Sequence, residues 1–146
     1  MLIEMRGTAR GERVWFDPFG VAVETGTTLK FTNRDHGNSH TVTAYHPDLF
    51  GRVRRIPEQA EPFNSGYLLP GDSFELTLTV PGVYDFYCLP HEQAGMVGRI
   101  VVGKPGDNNW DDTGMAAGGV AAKVEAVLPS ISAILASRAL SAPELK

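Results

Sequence analysis

Apolar and polar residues alternate with a period of two through much of the first hundred positions, the pattern of strands that bury one face. Phe74, Leu76, Leu78 and Val80 alternate with Glu75, Thr77 and Thr79. Pro70-Gly71-Asp72 opens this run and Pro81-Gly82 closes it, both with turn chemistry. The next run is Val83-Tyr84-Asp85-Phe86-Tyr87-Cys88; its parity turns Tyr84, Phe86 and Cys88 inward and leaves Tyr87 as strand surface on the other face. Leu29, Phe31 and Asn33 alternate with Thr28, Lys30 and Thr32, and His40, Val42 and Ala44 with Thr41, Thr43 and Tyr45. Val21-Ala22-Val23 and residues 98–102 complete the clear strands, with weaker candidates at 1–6 and 13–16. Seven to eight short strands at this spacing predict an all-β sandwich or barrel.

The pattern changes near Gly103. Residues 104–146 are rich in alanine, and Val120, Val124, Val127, Ile131 and Ile134 recur at steps of four and three, which predicts a C-terminal α-helical extension. Pro129 lacks an N–H and disfavours helical Leu128, so a break is expected there. Asp111, Asp112 and Thr113 are candidate caps. The expected organisation is a domain over 1–103 and, over 104–146, a linker with an amphipathic helical tail. That tail packs on the domain or on a partner, which opens a route to an oligomer. Residues 46–66 form a long irregular connection carrying Arg52, Arg54 and Arg55, read as a solvated loop. The alternative is a docking patch for an acidic partner.

Composition narrows the class. The chain has 146 residues, 42% hydrophobic and 21% charged, as a folded globular protein does. A net charge of -4 gives no basic footprint for nucleic acid. No run reaches the roughly 18 apolar residues of a spanning helix, so no transmembrane segment is expected. Residues 1–7 lack the apolar stretch of a secretory signal, so no intact signal peptide is expected in this chain. Cys88 is the single cysteine, so it forms no intrachain disulfide; it is either a buried small hydrophobe or a chemical group.

The segment Cys88-Leu89-Pro90-His91-Glu92-Gln93-Ala94-Gly95-Met96 decides for chemistry. Thiolate, imidazole and thioether are the donors that select copper, and a trigonal copper site with a weak axial Met needs one thiolate and two imidazoles. The loop supplies one imidazole, His91, so a second must come from elsewhere. His40, on a separate strand after the turn-rich Asn33-Arg34-Asp35-His36-Gly37-Asn38-Ser39, is the best donor. His36 and His46 are the remaining histidines, read as surface residues; His46 shares strand parity with His40, and the alternative is that it is a replacement or auxiliary ligand, or forms a second weak metal site with His36.

Taken together, Val21-Ala22-Val23 with Gly26-Thr27-Thr28-Leu29-Lys30-Phe31-Thr32-Asn33, Ser39-His40-Thr41-Val42, Pro81-Gly82 with the strand to Cys88, and the loop to Met96 resemble the cupredoxins. These are the small blue copper proteins, and the ligand loop is similar in length to that of plastocyanin. The resemblance covers roughly residues 15–103. It implies a Greek-key β-sandwich and one type 1 copper ion held by His40, Cys88, His91 and Met96. It also implies one-electron transfer rather than enzymatic turnover, and redox protein partners that dock near the His91 loop. The family is mostly exported, so an extracytoplasmic, for example periplasmic, location is expected. Two other readings use the same ligands: a copper carrier or storage protein, and an open-site mononuclear copper protein. The family often has Asn after the first ligand His; Thr41 stands there, and its hydroxyl is a candidate for the same hydrogen bond.

Overall fold

The computed structural model describes residues 1–142. Two mixed sheets pack face to face, one with strand order β2-β1-β4-β6 and the other β5-β7-β8-β3-β9. The strands are β1 (Leu2–Gly7), β2 (Val14–Asp17), β3 (Gly20–Val23), β4 (Thr28–Asn33), β5 (Thr43–Ala44), β6 (Ser73–Thr77), β7 (Gly82–Tyr87), β8 (Val97–Val102) and β9 (Ala139–Leu140). The weaker candidates at the N-terminus are therefore strands: β1 pairs antiparallel with β2 and parallel with β4.

Between the sheets the inward residues of the alternating runs meet. Ile3, Phe16, Leu29, Phe31, Phe86 and Ile100 belong to one buried cluster that also contains Cys88 and Met96. Phe86 meets Phe16 and Phe31 edge-on, at ring-centroid distances of 4.8 and 5.6 Å, a favoured aromatic arrangement. Phe86 and Gly98 are register partners in β7 and β8, and a Cβ at Gly98 would overlap the Phe86 ring. That close approach requires glycine.

The stretch 40–45 is wholly buried, yet only Thr43–Ala44 is a strand. Its other partners come from the long connection and the residues just after it: His40 bridges Leu68, the Ala44 N–H donates to the Phe63 carbonyl, and the Ser65 N–H donates to the Val42 carbonyl. The 46–66 connection is thus irregular but packed, burying Ile56 and Phe63 in the core. Its arginines depart from the solvated-loop reading. Arg55 is fully buried against Asp85, Arg52 pairs with Glu92, and Arg54 donates to Thr113 and to the Ile56 carbonyl.

The tail lies on the five-stranded sheet and is less helical than its periodicity predicts. It forms a 3-10 helix (Thr113–Ala116) and two short α-helices, α1 (Ala122–Glu125) and α2 (Ile131–Ser137), separated at Pro129, and then β9. Ser130 caps α2 by accepting from the Ala133 N–H at 3.1 Å. Val124 packs against Tyr45, Tyr87 and Val97, and Ile134 against Ala22 and Val101. β9 pairs antiparallel with β3, matching Gly20 to Leu140 and Val21 to Ala139. Alternation along the chain does not mark this ninth strand, because two residues carry no periodicity. Among the described residues no helix is long and apolar enough to cross a membrane.

Candidate metal centre

Cys88 follows β7, and the chain then turns through a 3-10 helix, Leu89–Ala94, before β8. Pro90 stands in its first turn, and Gly95 ends it at φ 86°, a left-handed conformation that glycine adopts without cost. Backbone bonds close the loop on itself. The Cys88 N–H donates to the Met96 carbonyl at 3.0 Å, the His91 N–H to the Cys88 carbonyl at 3.1 Å, and the Met96 N–H to the His91 carbonyl at 3.2 Å. Met96 is fully buried in the same cluster as Cys88. His40 is fixed from both sides by Leu68, through N–H to carbonyl bonds of 3.1 and 2.8 Å.

Folding brings three donor atoms from these two segments together. His40 Nδ1 lies 3.6 Å from Cys88 Sγ, His91 Nδ1 lies 3.4 Å from the same sulfur, and the two Nδ1 atoms are 3.2 Å apart. The triangle is nearly equilateral, and its centre is about 2.0 Å from each corner, close to the ~2.0–2.3 Å of first-row metal–nitrogen and metal–sulfur bonds. The three residues form the metal-capable group found among the described residues. With one sulfur anion and two imidazoles, plus the Met96 thioether in the adjoining core, the donor chemistry fits copper.

The electrostatics agree with a neutral, metal-ready set. His40 Nε2 donates to Asp35 Oδ2 at 2.8 Å, so its Nδ1 carries the lone pair and faces the triangle. Burial lowers the pKa of His40, against the opposing pull of Asp35. His91 is lowered by burial and by His40. Burial pushes the Cys88 thiol up to about 11, although the Thr41 N–H donates to Sγ at 3.4 Å. Without an ion the sulfur is therefore a protonated thiol at neutral pH, and a cation in the triangle would replace that proton.

The supporting residues divide into those the sequence offered and those it hid. The Thr41 hydroxyl accepts from the Leu89 N–H at 2.8 Å and so ties the His40 segment to the ligand loop. Asp35 was only part of a turn-rich stretch; the short Asp-x-Gly-Asn spacing was the signal that it caps its own turn. His36 is exposed, and His46 accepts from the Asp48 N–H at 3.0 Å; neither joins the triangle. Tyr87 is not strand surface. It is fully buried, its ring 4.4 Å from Tyr45 and 4.6 Å from the Arg52 guanidinium carbon. Glu92 joins this group by accepting from the Tyr45 hydroxyl and from Arg52, each at 2.6 Å.

Comparison with known proteins places this geometry. The sequence description of the copper binding proteins of the plastocyanin/azurin family matches residues 3–103. A chloroplastic plastocyanin of Oryza sativa subsp. indica is 40% identical over 97 residues, covering 64% of this chain; the chain spans only 58% of that relative's length. Pseudoazurin from Hyphomicrobium denitrificans is 30% identical with a TM-score of 0.54, over 71% of this chain and 75% of that one. A pseudoazurin from Methylobacterium extorquens AM1 shares the fold over 94% of this chain and 97% of its own, with a TM-score of 0.60 at 19% identity. That match reaches into the tail. With all four expected ligands inside the stretch matched by the family description, the chain belongs to the plastocyanin/azurin family of copper binding proteins.

Proposed function

We propose that this protein is a one-electron carrier, with copper held by His40, Cys88, His91 and Met96. The observation that carries the reading is the preformed triangle of His40 Nδ1, Cys88 Sγ and His91 Nδ1, built on a rigid sandwich. Bound copper supplies the redox couple, Cu(II)/Cu(I). The chain's own residues supply a fixed frame. His40 is held by Leu68 and Asp35, the loop is closed by its backbone bonds, and Cys88 receives the Thr41 N–H. A frame that does not move keeps the donors in one compromise arrangement in both oxidation states. Burial of His40, Cys88 and Met96 excludes water from their side. His91 alone of the four is partly exposed, so its ring is the portal where a redox protein docks and exchanges the electron. Leu89, Pro90 and Ala94 lie around it with partial or full exposure, a small surface suited to a brief encounter. Residues 1–103 form the metal-binding unit and the tail is its cover. The setting that fits such a centre is extracytoplasmic.

The test is titration of metal-free protein with Cu(II). One equivalent is expected to give an intense visible thiolate-to-copper band, lost in Cys88→Ser and kept, with a changed potential, in Met96→Gln. A colourless product, or a Cys88→Ser protein as blue as the parent, would overturn the assignment. Fast electron self-exchange with slow copper exchange separates the carrier of electrons from a carrier of copper.

A further inference from the structure

The turn between β4 and His40 holds a buried carboxylate whose place is not explained by folding alone. Asp35 is 3% exposed. Its Oδ2 accepts from His40 Nε2 at 2.8 Å and from Asn38 Nδ2 at 3.0 Å, and its Oδ1 accepts from the Gly37 N–H at 3.0 Å. Asn33 holds the turn beneath it, accepting from the Asp35 N–H at 2.9 Å and donating to the Asn38 and Leu68 carbonyls, each at 2.9 Å. The backbone of Gly7 closes the far side so tightly that a Cβ there would strike the carboxylate. The anion is thus built in by five residues, and of its three bonds one runs straight to an imidazole of the triangle.

We propose that Asp35 is the positioning residue of the metal centre: its carboxylate locks His40 as the Nε2–H tautomer with Nδ1 facing Cys88 and His91, and its charge favours the more oxidised state of the ion held there. The proposal rests on His40 being a ligand. A carboxylate on the far nitrogen of a ligand histidine fixes ring orientation and raises ligand basicity, and loss of such a partner costs about 10–100-fold in metal affinity. A buried charge acts with little screening by salt, so its effect on the couple persists at physiological ionic strength.

The experiment has two readouts. In metal-free protein, 15N NMR of the His40 ring reports the tautomer; Nε2–H is expected in the parent and a mixture in Asp35→Asn. In copper-loaded protein, Asp35→Asn is expected to weaken the preference for Cu(II) over Cu(I) about tenfold, an upward shift of about 59 mV. Asp35→Glu should recover part of it. Glu24→Gln removes an exposed carboxylate away from the turn and leaves the Asp35–His40 contact intact, so it should keep the parent potential. A parent His40 found as the Nδ1–H tautomer overturns the proposal even if no Asp35 variant folds. So does an unshifted Asp35→Asn potential, or a Glu24→Gln shift of equal size. A parent that binds no copper instead overturns the electron-carrier reading, while the tautomer measurement still judges Asp35.

Discussion

Thr41 shows how much a single hydroxyl does beside the centre. Thr43 Oγ1 donates to Asn64 Oδ1 at 3.0 Å, so the Thr41 hydroxyl donates to Thr43 at 2.9 Å and keeps its lone pair for the Leu89 N–H at 2.8 Å. The chain of bonds runs from the 46–66 connection to the first residue after Cys88. Thr41→Val would leave the part-buried Leu89 N–H without its acceptor and break the link, a cost of about 1–3 kcal/mol. Thr41→Ser, which keeps the oxygen, should lose much less. Urea unfolding of the metal-free proteins measures both. At this scale the sequence displayed the donors well, because thiol, imidazole and thioether are rare and chemically distinct. It displayed their supports poorly: Asp35 and Glu92 look like any surface acid until the turn and the loop bury them.

At the scale of elements, β7 is the strand to which everything attaches. All six of its residues are buried, because the sandwich covers one face and the connection and tail cover the other. Parity therefore assigned Tyr84, Phe86 and Cys88 to the core but could not see that Asp85 and Tyr87 face a second cover. Asp85 accepts from Arg55 Nε at 3.0 Å and from Arg99 Nε at 2.6 Å, inside the protein. The same arginines reach the tail: Arg55 donates to the Gly118 carbonyl and pairs with Glu125, and Arg99 donates to the Pro129 carbonyl. Asp85→Ala would leave two buried guanidinium groups without their shared anion. A loss of about 3–5 kcal/mol is expected, with faster amide exchange over 118–140 than elsewhere. Denaturant unfolding and hydrogen exchange read the two effects; a stable variant with a protected tail would contradict this account of what fastens it.

For the whole molecule, the titrations of the centre set a pH window. His40 and His91 fall below the ordinary 6.5, so on acidification the unfolded chain takes up protons before the folded one does. Stability of the metal-free protein therefore declines as pH drops below that value. Cys88 is raised from 9.0 to about 11, so on the alkaline side the unfolded thiol ionises first. Stability falls again as pH rises through that interval. Tyr84 and Tyr45, both raised by burial, add to the alkaline loss above about pH 10. Thermal unfolding from about pH 5 to about pH 10 should give a dome for the metal-free protein. With copper bound, the thiolate is already formed in the folded state, so the decline just above pH 9.0 should flatten.

Local order along the chain determined the β-rich class, the break at Pro129 and the four candidate donors. Alternation reports which face of a strand is apolar, and the loop from Cys88 to Met96 is short enough to carry its own geometry. Tertiary structure alone decided the rest. The 3.2–3.6 Å triangle needs His40 brought from another segment. The acids and arginines acquire their roles only when distant segments shut water out around them. The strand Ala139–Leu140 exists only because the edge of β3 offers backbone partners. Pairing, burial and charge compensation between residues far apart in sequence leave no periodic trace, and they convert a set of donors into a centre.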